Sequence, residues 1–297
     1  MLRLAALATP CLLACLHAQD RLEQFLTRLA EEAETFLQVA PKTLSEETLR
    51  QKAARKPPRF RPRLGAPAAQ PSQLQYQTRE IVSEYGYSTL EDSPNVLHEF
   101  RQVISVDGKP VRSRETARRT LSFGVSSRDD RAKRRMLREL ENYGLASAAV
   151  DLGQIILLFT KRRLEDFQFE WTGRGQLNSA DASVYSFRQV GGTGSVTIFQ
   201  GHRATREPLQ GEVWVRESDC LPLRVAIATQ RHEDKHFFRD EATVDYAMSP
   251  HGVLLPESLL HREYIDGRLE IENLFHYTPF RRFSAEAEIK FSTVPED

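Results

Sequence analysis

The chain has 297 residues, with 41 basic and 41 acidic side chains and hence a formal net charge of zero. This balance gives no general basis for binding nucleic acid, and we expect no nucleic-acid partner. Three cysteines and a 40% share of hydrophobic residues exclude a disulfide-rich miniature scaffold and predict a domain with a sizeable packed core.

The first 18 residues have the pattern of a secretory signal peptide. Arg3 is the basic region, an apolar stretch too short to span a bilayer follows, and Ala18 is a small residue at the cleavage position. We therefore expect a periplasmic or secreted protein that begins at Gln19. The alternative is lipid anchoring at Cys15, because the preceding Leu-Leu-Ala resembles a lipobox. No later stretch has the length and apolar character of a transmembrane helix.

Residues 19–54 are predicted to form an N-terminal helical segment. Apolar residues recur there at the spacing of one helix face: Leu22, Phe25, Leu26, Leu29, Ala33, Phe36 and Leu37. Pro41 ends this helix, and a capping box of Thr43 and Glu46 predicts a second, short helix. The first helix is expected to pack on the sheet of the same domain. A lid over a ligand cavity and a partner-docking helix are the alternatives.

Residues 55–73 are predicted to be a linker. Five prolines prevent regular structure, and the first half of the stretch is rich in arginine. We interpret the linker as a solvated tether. The alternative is contact with an anionic envelope surface, such as lipid headgroups or a cell-wall polymer.

Residues 74–297 are predicted to form one antiparallel β domain. Apolar residues alternate along most of this stretch, and Asp107-Gly108 and Asp266-Gly267 predict tight hairpin turns. The apolar run at 155–159 predicts a central strand. Together the segments indicate about ten strands in a large curved sheet of α+β class.

One helix is predicted within this domain, over residues 127–143. Ser127 is the predicted cap, and Asp129 and Asp130 lie in the first turn. Gly144 is placed to end the helix in a left-handed conformation.

The hairpin sequences resemble those of the LolA-like lipoprotein-sorting fold. The resemblance rests on "GEVWVRESDCLPLRV" at 211–225, "VLLPESLLHREY" at 253–264 and "YTPFRRFS" at 277–284, after an early helix and two long strands. The resemblance covers roughly residues 75–292. Within the group, the sequence looks most similar to uncharacterised secreted bacterial members. These motifs are turns and strands, so they indicate a fold and name no catalytic residue.

The resemblance implies an antiparallel half-barrel with helices on its concave side and an apolar cavity. Carriers of this family shield the acyl chains of lipoproteins, and related periplasmic sensors use the same fold. It therefore implies a non-enzymatic protein without a cofactor, which binds a lipid or a lipidated partner through residues that remain unknown. The alternative is an envelope interaction or sensing module whose core is filled by its own side chains.

A third hypothesis is a zinc hydrolase, because His232, Glu233 and His236 spell H-E-x-x-H. On a helix this spacing brings two imidazoles together, and Glu257 or Glu263 could supply a third ligand. However, strand patterns flank the motif on both sides. We expect residues 231–236 to be non-helical and the two imidazoles not to converge on a metal.

Two other candidates are interpreted as structural. Cys220 lies in a turn beside Glu217 and Asp219, whose charges are expected to raise the pKa of its thiol and make it a poor nucleophile. The glycine-rich stretch at 191–195 is followed by a strand pattern. A phosphate-binding loop requires a helix at that place, so we interpret the stretch as a flexible hairpin.

Overall fold

The computed structural model describes residues 9–55, 75–147, 151–192, 196–200 and 203–283. Within these ranges, only the backbone is described for residues 9–19, 196–200 and 203–207. Residues 1–8 of the predicted signal, the predicted linker beyond Arg55, and the predicted last strand beyond residue 283 lie outside the described residues.

The described chain contains three α-helices and fourteen strands. The helices are α1 Thr9–Val39, α2 Arg114–Ser126 and α3 Asp130–Leu137, and short 3-10 helices lie at Ala40–Lys42, Glu139–Tyr143, Ile155–Phe159 and Leu164–Asp166. The strands are β1 Thr43–Ala54, β2 Tyr76–Leu90, β3 Ser93–Val106, β4 Lys109–Pro110, β5 Phe167–Leu177, β6 Ala180–Gln189, β7 Val196–Gln200, β8 Arg203–Glu207, β9 Gln210–Arg216, β10 Pro222–Glu233, β11 His236–Met248, β12 Leu254–Ile265, β13 Arg268–Tyr277 and β14 Arg281–Arg282.

Twelve strands form one open antiparallel sheet in the order β4-β3-β2-β1-β13-β12-β11-β10-β9-β6-β5, with β14 paired to the start of β1. Strands β7 and β8 form a separate two-stranded hairpin. The large, curved antiparallel sheet that the sequence predicts, with an N-terminal amphipathic helix, is therefore confirmed as an open α+β half-barrel.

The predicted hairpin turns are confirmed. Asp107-Gly108 joins β3 to β4, and Asp266-Gly267 joins β12 to β13. All four residues have positive φ angles between 50° and 76°. Two-residue hairpins take this backbone geometry because it matches the twist of the flanking strands.

The second predicted helix is wrong: residues 43–54 form strand β1. This strand pairs with β2 on one side and β13 on the other, so it joins the N-terminal and C-terminal parts of the sheet. Glu46, the supposed capping residue, instead pairs with Arg114 of α2. Hydrogen bonding to two neighbours along nearly its whole length outweighs the local preference of this segment for a helix.

Two further predictions need correction. Residues 155–159 form a 3-10 helix, not a central strand, because an apolar run alone does not distinguish a strand from a buried helical turn. The helix predicted over 127–143 is α3 plus the 3-10 helix that follows it. Its cap is Asp129 and not Ser127: the Asp129 carboxylate accepts hydrogen bonds from the backbone N–H groups of Arg131 and Ala132. Gly144 has the predicted left-handed conformation, with φ of 70°. Helix α2 was not predicted.

The sheet has an apolar core on each face. The inner face, which α1 covers, carries the larger core and includes alternate residues of β10, β11 and β13 such as Val225, Val244 and Phe275. The outer face carries a smaller core, in which Leu121 of α2 and Met136 of α3 pack on Leu44 and Phe100. Helix α1 therefore lies on the predicted concave side, whereas α2 and α3 pack on the opposite face of β2 and β3.

Candidate functional site

The inner face of the sheet is covered by α1 through aromatic and aliphatic contacts. Phe25 stacks on Tyr185 of β6 with ring centroids 4.3 Å apart, and Phe36 meets the ring of Tyr87 of β2 edge-on at 5.5 Å. Phe25, Leu29 and Phe36 are fully buried. The helix therefore covers the apolar surface of the inner face.

Two open clefts flank residues 20–31 of α1. One has a volume of about 700 Å³ and lies between the helix and the β9–β10 hairpin; charged side chains of both signs line it, among them Arg21, Arg28 and Asp219. The other, of about 420 Å³, is mostly apolar and lies between Leu22, Leu26 and Leu164. This part of the helix is thus accessible to solvent along both flanks.

A loop that contains the 3-10 helix Ile155–Phe159 also lies on the inner face, and hydrogen bonds attach it to the sheet. The backbone N–H groups of Asp151 and Gly153 donate to the Glu99 carboxylate at 3.0 and 2.7 Å. Asp151 in turn accepts from the Glu99 backbone N–H at 2.8 Å, and its other carboxylate oxygen lies 2.9 Å from Nδ1 of His98. The Tyr246 hydroxyl donates to the Gly153 carbonyl and accepts from the Ile156 N–H.

Beneath this loop lies a buried ion network of Glu47, Glu99 and Arg101. The guanidinium of Arg101 makes two hydrogen bonds of 2.8 Å to Glu47 and a third of 2.8 Å to Glu99. Burial raises the pKa of Glu99 despite the opposing effect of Arg101. Burial alone would lower the pKa of Arg101, but the two carboxylates hold it well above its ordinary value.

Three tyrosines surround this network. Tyr85, Tyr87 and Tyr277 are buried, and their hydroxyl groups have no hydrogen-bond partner among the described residues. Burial raises the pKa of each phenol well above its usual value. A Cβ on Gly153 would lie 2.8 Å from the Glu99 carboxylate and 3.1 Å from the Tyr85 hydroxyl. Only a glycine allows the loop to approach so closely.

The buried network is not among the sequence predictions, although strand β3 carries a signal for it. Along β3, Leu97, Glu99, Arg101 and Val103 alternate on one face. Two charged residues at core positions between two apolar ones indicate a buried ion pair. The partner Glu47 cannot be found in this way, because the capping pattern at Thr43 and Glu46 predicts a helix at its position.

The far end of the inner face, towards the β10–β11 turn, is polar. The Gln51 amide donates to Asn273 Oδ1 at 2.8 Å, and Asn273 Nδ2 lies 3.2 Å from Nδ1 of His261. Burial lowers the pKa of His261 to about 4. Burial also raises the pKa values of Asp240 and Glu263, which face each other across β11 and β12. The inner face thus changes along the strands from apolar to polar.

The H-E-x-x-H motif spans a hairpin, as predicted. Glu233 ends β10, His236 begins β11, and the chain turns at residues 234–235. His232 pairs with Phe237 and His236 pairs with Glu233, so the two imidazoles lie on opposite faces of the hairpin. Nδ1 of His236 lies 2.7 Å from Asp266 of the neighbouring turn. Within the described residues, no group of three metal-ligating side chains occurs.

The other predicted positions have structural surroundings. Cys220 lies in the β9–β10 turn with φ of 56°. Burial, and to a smaller extent the charge of Asp219, raises the pKa of its thiol. Glu257 and Glu263 of β12 do not meet the two histidines in a common cluster. Residues 193–195 of the glycine-rich stretch lie outside the described residues, and strand β7 follows them. Among the helices of the described segments, none is long and apolar enough to cross a bilayer.

No protein-family model matches the chain, and no curated protein matches it significantly. A domain assigned to outer membrane lipoprotein sorting from Vibrio parahaemolyticus is 9% identical, with 89% of this chain and 97% of that chain covered and a TM-score of 0.33. A DUF1329 family protein from Desulfovibrio piger is 9% identical over 90% of this chain and 97% of its own, with a TM-score of 0.34.

A LolA superfamily protein from Nitrosomonas europaea is 9% identical over 87% of this chain and 96% of its own, with a TM-score of 0.29. Similarities of this size carry no argument about what the chain binds. The open antiparallel sheet with an N-terminal helix across its inner face has the architecture that the resemblance in the hairpins implies.

Proposed function

We propose that the protein is a non-enzymatic binding protein for a lipid or a lipidated partner. In the bound state, the acyl chain of that lipid or partner takes the place of α1 on the inner face. The observation that supports this proposal is the way α1 is held. Its buried side is mostly apolar, with Glu32 paired to Arg28 as the buried charged residue of the described helix. Open clefts lie along both flanks of residues 20–31.

The exchange of the helix for an acyl chain is physically reasonable. Apolar contacts are non-directional, so methylene groups can replace the contacts of Phe25 and Leu29 at a gain of about 0.8 kcal/mol for each buried CH₂. The loop over Glu99 is held by directional hydrogen bonds, whose buried partners would each cost about 1–3 kcal/mol if left unpaired. We therefore expect α1 to move and the loop to stay.

The first experiment asks whether an acyl chain is present. Purified protein is extracted with organic solvent, and the extract is analysed by mass spectrometry beside a mock purification. An acyl lipid in stoichiometric amount is the expected result. After delipidation, the protein is titrated with a fluorescent fatty acid. Absence of a co-purified lipid together with absence of saturable binding would overturn the proposal.

The second experiment locks the helix. Gln24 and Cys220 line the same cleft, so Gln24→Cys in the otherwise native chain provides a second thiol for a disulfide. Once mass spectrometry has shown that the bridge has formed, the oxidised protein is expected to lose fatty-acid binding and to regain it on reduction. The matched control carries Gln24→Cys with Cys220→Ser and should bind equally under both conditions.

The second candidate function is an interaction or sensing module with a filled core. It is favoured by the buried network of Glu47, Glu99 and Arg101 and by the loop hydrogen-bonded over it, which fix a large part of the inner face in its present arrangement. If the locked and unlocked proteins bind no fatty acid, this candidate is preferred.

We also propose export from the cytoplasm with cleavage after Ala18, on the pattern of the first residues. Amino-terminal sequencing of protein recovered from a cell envelope fraction tests it. A mature chain beginning at Gln19 is expected, and an amino terminus at a lipid-modified Cys15 would contradict cleavage at that site.

A further inference from the structure

Positive charge is concentrated around α2 and α3. Residues 112–138 contain ten arginine and lysine side chains and three carboxylates, although the whole chain has no net charge. Five of these cations have partners within the protein: Arg112, Arg114, Arg118 and Arg134 pair with carboxylates, and Lys133 donates to the Thr89 carbonyl.

The other five cations are exposed arginines that pair with no carboxylate among the described residues: Arg119, Arg128, Arg131, Arg135 and Arg138. Two of the three acidic residues of this stretch have structural roles. Asp129 caps α3, and Asp130 accepts the Glu91 backbone N–H. The carboxylate left without such a role is Glu115, in the first turn of α2.

The exposed sides of the two helices point away from the sheet. Both helices pack on its outer face through Leu121 and Met136, and they approach each other closely where Gly124 meets the Met136 side chain. Arg131, Arg135 and Arg138 follow one side of α3 at helical spacing. We call this exposed layer, with Arg119, Arg128 and Phe123, the α2–α3 surface.

Phe123 is an exposed aromatic residue of α2 within this basic stretch. Its side chain is 77% exposed, the highest value among the exposed large hydrophobic residues of the described segments. It follows Arg119 by one helical turn and therefore shares its side of α2. A soluble anionic partner would be attracted by the arginines but would have no need of this phenyl ring.

We propose that the α2–α3 surface docks on the anionic headgroup layer of a phospholipid membrane. Arginines beside such a layer interact favourably with its phosphate groups, and an aromatic side chain enters the boundary between headgroups and acyl chains. The surface lies on the face of the sheet opposite α1, so the inference is independent of acyl-chain binding on the inner face.

The experiment is co-sedimentation of the full chain with vesicles of phosphatidylcholine alone or of phosphatidylcholine mixed with phosphatidylglycerol. Binding to the anionic vesicles that weakens with added salt is expected. Replacing Arg131 and Arg135 by glutamine should lower the partition coefficient at least about tenfold. Phe123→Ser should lower it roughly fivefold, because the ring no longer enters the boundary.

Matched controls separate the surface from total charge and from the inner face. Arg162→Gln with Lys235→Gln removes the same charge at two exposed sites elsewhere, and Met248→Ser removes another exposed apolar side chain. All variants should keep the thermal unfolding of the wild type. Protein with α1 locked by the Gln24→Cys disulfide should bind anionic vesicles as well as the unlocked protein.

Three outcomes would overturn the proposal. The first is equal sedimentation with both vesicle types. The second is an equal loss in the control variants. The third is a variant at Arg131 and Arg135 that binds vesicles as well as the wild type but is retained less by immobilised polyphosphate. That result would assign the surface to a soluble anionic polymer.

Discussion

At the scale of single residues, Arg101 is the side chain on which the buried network depends. It pairs with two carboxylates, Glu47 and Glu99, and its guanidinium also lies 5.0 Å from the centroid of the Tyr85 ring. The exposed fraction of the side chain is 3% for Arg101 and 0% for both glutamates. Removing a buried cation lowers the free energy of unfolding by more than the ion pair itself contributes to it. The reason is that the carboxylates are left charged in an apolar core without a partner.

Arg101→Leu is therefore expected to lower the free energy of unfolding by about 3–5 kcal/mol. The measurement is urea denaturation followed by circular dichroism. Arg50→Leu is the matched control, because Arg50 pairs with Glu80 in an exposed position and should change stability by no more than about 1 kcal/mol. Equal losses in the two variants would show that the buried network does not stabilise the fold as described.

His261 is a buried residue whose pKa is lowered. Its pKa in the folded protein is about 4 because of burial, against an ordinary value of about 6.5. Between these two pH values the unfolded chain binds a proton that the folded chain does not. Stability therefore falls as pH falls through this window.

The loss attributable to His261 between neutral pH and pH 4 is expected to be roughly 3 kcal/mol. The comparison is between the wild type and His261→Gln, with unfolding measured across this range. Asp240 and Glu263, whose pKa values are raised by burial, oppose the effect in both proteins, so the difference between the two curves isolates His261. Parallel curves would contradict the assignment.

At the scale of elements, the contact between β9 and β10 depends on a glycine. A Cβ on Gly211 would lie 1.9 Å from the backbone oxygen of Ala226 and 2.9 Å from the ring of Phe187. The first obstacle is backbone and cannot rotate away, so a larger residue must separate the strands.

Gly211→Ala is expected to destabilise the protein by about 1–3 kcal/mol, as overpacking does elsewhere. Thermal unfolding measures the effect. Gln210→Ala, at the exposed neighbouring position, should stay within about 0.5 kcal/mol of the wild type. An unchanged midpoint for Gly211→Ala would mean that β9 and β10 approach less closely than described.

At the scale of the whole molecule, the layers are held by different interactions. The sheet is a continuous ladder of hydrogen bonds from β4 to β5, whereas α1 is packed on it through apolar side chains. We expect local opening of α1 to require less free energy than opening of the strands beneath it.

Native-state hydrogen exchange measures this difference residue by residue. Backbone amides of residues 24–38 in α1 should exchange through openings of lower free energy than those of β1, β2 and β13, and the amides of Asp151 and Gly153 should resemble the sheet. Exchange of α1 at the same free energy as β1 would contradict a displaceable helix.

The sequence alone determined the features that depend on neighbouring residues. The turns at Asp107-Gly108 and Asp266-Gly267 follow from residues that tolerate positive φ angles, and the buried side of α1 follows from the spacing of its apolar residues. The sequence also shows the alternation of apolar residues within 74–297, because side chains alternate along a strand.

Only the tertiary structure decided the features that depend on distant partners. Strand β1 is a strand because β2 and β13 pair with it from both sides, and residues 155–159 form a helical turn because they fill the space between α1 and the sheet. Arg101 acquires its second carboxylate from Glu47, 54 residues away along the chain. Local propensities differ by less than about 1 kcal/mol per residue, which pairing and burial across the fold exceed.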